Sequence, residues 1–368
     1  MRFTAKVGAV KKALKQVFDG AAKSPATRAF TPSFDFEVLN FRTARVRGRD
    51  YGDRTVEIVF DLEDGEPGDK VAVDAGLLNA VKVLDDASDV NFDFLDSKVE
   101  IASENGKAFR FAYGYIDVPD LPNLPQIERW EDADAVFNTD EIIRCFTQTG
   151  FAVDVDNAHY ALGGVLLNIV GERGWFVATC GRRLSCRSEI CGRGGDGKDK
   201  TAIIPAATVA ALTKIVPVNS DFVGVVFGEG KVLFEWDSGR LETVLIDGRF
   251  PNWQSILDVR AKEVEAQYEA ADARKAADAF AKIGCIEVTV RTGKDQLIFE
   301  NEEKGAKIVI PAAINGIESA SASLDVKFFV DFLTRADGRV THYVNDSHSN
   351  LMTDENGWQY VLMPLNKR

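Results

Sequence analysis

The sequence is poor in the residues that usually announce chemistry. Three histidines, His159, His342 and His348, are scattered along 368 residues, and no serine or cysteine sits in a nucleophile elbow. Carboxylates are plentiful only because the chain is acidic, so paired acids carry no catalytic signal. Five cysteines form no CxxC pair, which argues against a disulfide framework and for a reducing compartment. Cys180, Cys186 and Cys191 are spaced more widely than zinc-ligand pairs and read better as small buried residues on strands. Long apolar runs are missing too. Stretches such as Phe222–Phe227 fall far short of the roughly 18 residues that cross a bilayer. The beginning, Met1-Arg2-Phe3-Thr4-Ala5-Lys6, has no apolar signal region. These absences lead us to expect a cytoplasmic protein with no membrane partner, no metal, no cofactor and no enzymatic activity.

Positive charge is the last scarcity: 44 basic against 57 acidic residues give a net charge of −13. Taken alone, that disfavours a phosphate-binding surface. The distribution of charge matters more than its sum.

What is present is an ordinary globular composition, 45% hydrophobic and 27% charged, on a length that suggests two or three domains at about 100–200 residues each. The chain also repeats itself. Residues 71–84 read as a strand, a helix start at Asp74 and an amphipathic helix. The same order recurs over 201–216, with Pro205 suited to a first helical turn, and over 322–333. A second helix recurs as well. Residues 5–18 place Val7, Val10, Leu14, Val17 and Phe18 on one face. Residues 139–150 do so with Ile142, Ile143 and Phe146 behind an N-cap at Thr139 or Asp140, and residues 272–283 with Ala276, Ala277, Phe280 and Ile283. Between them lie β-rich runs at 55–62, 175–179, 222–234, 286–290 and 307–310. The expected fold class is therefore α+β, three pseudo-repeated domains with two helices and about eight strands each. Proline-rich 118–125 and the segment 247–253 are the expected linkers, so the domains run 1–127, 128–253 and 254–368.

The basic residues off the apolar stripes of these six helices are Lys11, Lys12, Lys15, Lys82, Arg144, Lys214, Arg274, Lys275, Lys282, Lys327 and Arg335. One such helix is an ordinary solvated face. Six equivalent helices with the same bias, inside an acidic chain, point to a shared basic surface that could follow phosphates without reading bases.

One motif points elsewhere. Residues 192–198, Gly-Arg-Gly-Gly-Asp-Gly-Lys, satisfy GxGxxG and approach a P-loop. A P-loop needs Ser or Thr after the lysine and a helix behind it; here Asp199 and a strand follow, so a hairpin loop is the better reading. A nucleotide-binding enzyme using this loop is the alternative function.

Four segments carry a resemblance. Residues 149–167, residues 177–185 (Val-Ala-Thr-Cys-Gly-Arg-Arg-Leu-Ser), residues 245–253 (Leu-Ile-Asp-Gly-Arg-Phe-Pro-Asn-Trp) and the ending Tyr360-Val361-Leu362-Met363-Pro364-Leu365 resemble, in order, segments of bacterial DNA sliding clamps, the DNA polymerase III β-subunit family. With Met1-Arg2-Phe3-Thr4 and the threefold pattern, the resemblance spans essentially the whole chain. It implies a ring built as a head-to-tail homodimer, helices lining the hole, that encircles double-stranded DNA without sequence preference. It also implies that the ring tethers the DNA polymerase III α subunit, the clamp loader and other proteins bearing clamp-binding peptides.

The resemblance implies a peptide pocket at Thr179, Gly181, Arg182, Arg183, Leu184, Pro251, Ile256, Val361, Met363, Pro364 and Leu365. It places Phe109 at the dimer interface, and Lys23 and Arg28 of the loop 19–28 among the DNA-facing residues. Cys180 and Arg182 stand where the family usually has Asp and His, which makes the pocket more basic. A clamp-derived adaptor that no longer loads onto DNA is a further alternative, disfavoured by the retained basic helices.

Overall fold

The computed structural model describes residues 1–21, 33–50, 54–104, 108–116, 121, 123–155, 160–257, 264–316 and 319–365. Seven α-helices occur among them: α1 (Val7–Ala21), α2 (Leu77–Lys82), α3 (Thr139–Thr149), α4 (Ala206–Ile215), α5 (Gln254–Leu257), α6 (Ala270–Lys282) and α7 (Val326–Leu333). All six expected helices are present, and α5 is a single extra turn.

Their ends have local causes. Asp325 caps α7 by accepting the Phe328 N–H at 3.1 Å. The Asp74 carboxylate takes the Gly76 N–H at 2.6 Å, and α2 starts only at Leu77. Pro205 closes a strand and α4 follows it, so this proline ends an extended segment where a first helical turn was expected. Thr139 is the first residue of α3 and its buried hydroxyl caps nothing. On α1, Val7, Val10, Leu14 and Val17 are buried at helical spacing as expected. Ile283 lies just past α6 and is half exposed, so it does not complete that helix's apolar face.

Among the described residues, nine strands lie between Arg2 and Gly114, nine between Ala135 and Val244, and nine between Glu265 and Leu362, each stretch alongside two of the longer helices. All strand pairs among the described residues are antiparallel, and the chain divides into two compact units.

Unit 1 comprises Met1–Ile142, Cys191–Lys198 and Ala207–Leu245. Its five-stranded sheet runs Asp64–Glu66, Arg2–Lys6, Asp89–Phe94, Lys98–Glu104, Ala108–Gly114. Phe3, Phe36, Phe92 and Phe94 stack in its core, with Phe3 and Phe92 centroids 4.6 Å apart. The nine-stranded sheet runs Gly192–Arg193, Ala135–Asn138, Phe222–Phe227, Lys231–Trp236, Gly239–Val244, Arg54–Asp61, Thr43–Asp50, Ser33–Asn40, Val71–Asp74. Strands from two of the three repeats thus share one ladder, where Leu241 faces Val56. On that seam the fully buried Glu57 meets Arg45 and Arg240, each at 3.3 Å. Arg240 also donates to the Leu124 and Pro125 carbonyls at 3.3 and 2.9 Å, and Glu235 accepts the Ile127 N–H at 2.9 Å. The proline-punctuated connection is therefore strapped to the sheet by charge-assisted bonds.

Unit 2 comprises Ile143–Ile190, Asp199–Ala206 and Ile246–Arg368. Its nine-stranded sheet runs Lys200–Pro205, Gly164–Val170, Arg173–Thr179, Arg183–Ile190, Gln359–Leu362, Asn350–Thr353, Arg339–Tyr343, Glu265–Glu269, Ala313–Asn315. A four-stranded sheet runs Ala306–Pro311, Gln296–Asn301, Glu287–Gly293, Ser321–Asp325.

Candidate functional site

The site grows from one hairpin of unit 2. Arg173–Thr179 reverses into Arg183–Ile190 through Gly181, whose φ of +83° is the left-handed region that favours glycine. The Thr179 hydroxyl pins the turn, accepting the Gly181 N–H at 3.1 Å and donating to the Arg183 carbonyl at 2.6 Å. Alternation along the strands then sorts side chains between two faces.

Leu184 faces Val361, Val361 faces Leu351, and Leu351 faces Tyr343 across four adjacent strands. Leu166, Val177, Cys186 and Ile203 extend the same apolar floor. The segment Ile246, Phe250, Trp253, Ile256 and Leu257 packs against it, with Trp175 and Trp253 ring centroids 5.3 Å apart. On the opposite face Ser185, Tyr360, Met352 and His342 point into the core that holds α6 and α7.

The margin of the floor is partly open. Pro251 is exposed, Ile256 half-buried, Met363 46% exposed, and Pro364 and Leu365 half-buried. The tail is held by backbone bonds: Met363 N–H to the Arg182 carbonyl at 3.0 Å, and Leu365 N–H to the Ser323 carbonyl at 2.7 Å. The margin thus leaves Met363, Pro251 and part of Ile256 at the surface beside the covered floor.

Beside the margin three guanidiniums gather on two rings. Arg182 lies 4.7 Å and Arg183 4.1 Å from the Phe328 centroid, and Arg335 lies 4.3 Å from that of Phe151. Asp331 answers them, 2.7 Å from Arg183 and 3.9 Å from Arg335. Burial, and then the like charge of Arg183, pull Arg335 below the ordinary guanidinium value against the pull of Asp331. Burial alone pushes the Cys186 thiol upward, so it is an inert core thiol.

A polar net under the hairpin fixes its position. Trp358 donates its indole N–H to the Ser185 hydroxyl at 2.8 Å, and that hydroxyl donates to the Gln148 carbonyl of α3. Gln148 also donates to the Arg335 carbonyl at 3.0 Å and accepts from Arg187 at 2.7 Å.

Known proteins share both segments of this sequence and its fold. A profile of the DNA polymerase III beta subunit, central domain, matches residues 136–252. The beta sliding clamp of Caulobacter vibrioides is 24% identical over 319 residues, 81% of this chain and 82% of that one. A crystal structure of the Bacillus subtilis DNA polymerase sliding clamp matches with a TM-score of 0.86 at 21% identity, covering 100% of both chains. The DNA polymerase III subunit beta from Pseudomonas aeruginosa matches with a TM-score of 0.85 at 20% identity, again over 100% of both. The chain is similar to bacterial sliding clamps in sequence over most of its length and in fold over all of it.

The residues expected from sequence to form a peptide pocket fall into three groups. Leu184 and Val361 are floor, with Ile256 against them; Thr179 and Gly181 shape the turn; Pro251, Met363, Pro364 and Leu365 border the margin with exposed Arg182. Arg183 lies apart from these, buried between Phe151 and Phe328 and ion-paired to Asp331. The floor residues Leu166, Val177, Ile203, Phe250, Trp253, Leu351 and Tyr343 escaped sequence reading. Period-two alternation reveals each strand's apolar face, but not which strands are neighbours.

The basic residues of the repeated helices divide likewise. In unit 1, Lys12, Lys15, Lys82 and Lys214 are exposed, while Lys11 donates to the Leu84 carbonyl and to Asp86, both at 2.6 Å, and so ties α1 to the end of α2. In unit 2, Arg144, Arg274, Lys275, Lys282 and Lys327 are exposed, and Arg335 is half-buried against Phe151. Lys275 pairs with Asp272 at 3.3 Å and Arg274 with Asp278 at 3.6 Å, so part of that charge is answered on the helix itself. Lys23 and Arg28 lie outside the described residues. Phe109 belongs to Ala108–Gly114, the outer strand of the five-stranded sheet.

The glycine-rich loop does not present a phosphate cradle. The Gly195, Gly197 and Lys198 N–H groups are taken by the Glu131 carbonyl, the Gly194 carbonyl and Asp196 Oδ1, and the strand Lys200–Pro205 follows. The nucleotide-enzyme alternative loses its site.

Proposed function

We propose that this chain is a DNA sliding clamp, a processivity factor without catalytic activity of its own. Two copies join head to tail, each contributing three domains (1–127, 128–253, 254–368), and close around duplex DNA. The observation that carries the reading is the threefold order of two helices and nine strands on a chain whose fold matches clamp structures end to end.

The charge pattern supports it. An acidic exterior repels DNA, while exposed lysines and arginines on the repeated helices neutralise phosphates without registering on any sequence, so the ring slides. The available sheet edges support the dimer. Ala108–Gly114, with Phe109 and Phe111, is the outer strand of one sheet, and Ala306–Pro311, with half-exposed Val309, is the outer strand of another. Pairing one copy's first edge with the other copy's second satisfies both backbones. The apolar floor of unit 2 then receives short peptides from the polymerase α subunit, the clamp loader and other partners, raising their effective concentration at the primer end.

The test is molecular mass in solution together with retention on circular and linearised plasmid. A dimer retained on the circle and lost from the linear form is expected. A monomer, or equal loss from both forms, overturns the reading.

A further inference from the structure

Two guanidiniums of unit 2 share one ring and one carboxylate, and they are held unequally. Arg183 is locked: it is buried, ion-paired to Asp331 at 2.7 Å, donates to the Phe151 carbonyl and lies 4.1 Å from the Phe328 centroid. Arg335, two residues past the end of α7, is held more loosely. It lies 4.3 Å from the Phe151 centroid, donates to the Asp331 carbonyl at 2.7 Å and stands 3.9 Å from the Asp331 carboxylate. Arg183 is 5.1 Å from that same Phe151 ring. Burial lowers the Arg335 pKa, Asp331 opposes this and Arg183 adds to it, so the fold keeps this cation against its charge.

Each member of the pair leads to a different surface. Arg335 belongs to the basic set of the repeated helices, and Lys327 stands exposed near the start of the same helix. Arg183 sits in a strand of the apolar floor. Its neighbour Leu184 faces Val361, its carbonyl receives the Thr179 hydroxyl at 2.6 Å, and the Arg182 carbonyl before it holds the Met363 N–H at 3.0 Å. The backbone at Arg335 is fixed too, since Gln148 donates to its carbonyl at 3.0 Å while accepting from Arg187 at 2.7 Å. What can change partner is the Arg335 head, whose side chain is 29% exposed.

Resting on the clamp reading above, we infer that Arg335 couples the DNA-facing surface to the peptide floor. A phosphate draws its guanidinium off Phe151 and Asp331, Asp331 then answers Arg183 alone, and the floor holds apolar anchors more tightly. In the stacked state Arg183 and Arg335 repel across one ring and divide one carboxylate. In the released state the phosphate takes Arg335 in a charge-assisted bond, and the strand bearing Leu184 is pinned to α7 without a competitor. Each ligand thus makes contacts that differ between the two states, which is what linkage between separate sites requires. The effect is reciprocal: a bound peptide favours the released state and strengthens the hold on DNA by the same factor.

Fluorescence anisotropy of one short labelled peptide tests this, with and without a saturating short duplex at low salt. The peptide carries leucine and phenylalanine anchors and no net charge, which keeps the general field of the DNA out of the comparison. The unaltered protein is expected to bind it about fivefold more tightly with duplex, the low end of ordinary coupling between sites. Arg335→Gln is expected to show that tighter affinity without duplex and to gain nothing further from it. Arg335→Lys keeps the charge and is expected to keep a gain; its loss there assigns the effect to ring packing and overturns the coupling. Equal peptide affinity with and without duplex, when both ligands bind the unaltered protein, overturns the coupling and leaves the clamp reading standing. An undiminished gain in Arg335→Gln, or a weaker peptide in that variant under both conditions, overturns it too. If duplex or peptide fails to bind the unaltered protein, the clamp reading falls and this inference falls with it.

Discussion

Trp358 and Ser185 lie 173 positions apart in sequence and are joined at 2.8 Å, indole N–H to hydroxyl, inside the core of unit 2. The bond fastens the strand that carries Leu184 to the turn that precedes the final strand, and so helps hold the two central strands of the apolar floor in register. Ser185→Ala leaves a buried indole N–H without an acceptor. A loss of about 1–3 kcal/mol follows, read as a lower urea midpoint by circular dichroism. Trp358→Phe in the Ser185→Ala background is expected to cost less than in the parent, by about 1 kcal/mol of coupling; strict additivity would mean that the bond contributes nothing.

Glu57 in unit 1 is a buried carboxylate between Arg45 and Arg240. Glu57→Ala takes from Arg240 its carboxylate while Arg45 keeps Glu37, 2.8 Å from its Nε, and breaking such a buried pair typically costs about 3–5 kcal/mol. Equilibrium unfolding should show this as a large fall in midpoint. A fall of under 1 kcal/mol would show that water replaces the carboxylate.

His342 is fully buried, between the Tyr268 hydroxyl at 3.2 Å and Asn350 Oδ1 at 3.1 Å, and burial lowers its pKa to about 4, with Asn350 opposing. The unfolded chain, with an imidazole near 6.5, takes up the proton first. Stability is therefore whole above pH 6.5 and declines as pH falls toward 4, by roughly 3 kcal/mol in all. His342→Gln should flatten this decline in urea titrations between pH 7.5 and 4.5. Asp354, whose carboxyl burial raises, titrates in both proteins, so the difference isolates the histidine. Parallel curves would remove His342 from the account.

Charge reversal separates the helices' roles. Lys12→Glu with Lys214→Glu and Lys327→Glu alters exposed side chains on α1, α4 and α7. The triple variant should keep its dimer mass, leave circular DNA several-fold faster and show a shallower salt dependence of retention, by about one unit of slope per lost phosphate contact. Lys11→Glu should in addition destabilise unit 1, because it removes the bond to the Leu84 carbonyl and places a carboxylate beside Asp86. Unchanged retention by the triple variant would discard the basic-helix assignment.

Much of the fold was legible because two periodicities dominate it. Val7, Val10, Leu14 and Val17 spell a helix, and the repeat of that helix at α3 and α6 gives the threefold plan without any contact information. Helix starts were less legible. Pro205 and Thr139 obey rules that hold for many helices, but here the neighbouring strand claims Pro205 and burial silences the Thr139 hydroxyl. The site was half legible. Leu184 and Val361 came from motif resemblance, yet only strand register reveals that they touch, and that Leu351 and Trp253 complete the same surface. The inward turn of Arg183 could not be read either, since it depends on Phe151, Phe328 and Asp331, distant in sequence from it.

The seam at Leu241 and Val56 has a mechanical consequence. Because strands of adjacent repeats run in one continuous ladder, a load along their length must shear many parallel hydrogen bonds together instead of peeling them one by one. The carbonyls of Leu124 and Pro125, gripped by Arg240, keep the connecting chain from acting as a hinge. Within unit 1, bending is directed away from this joint, which behaves as a splint.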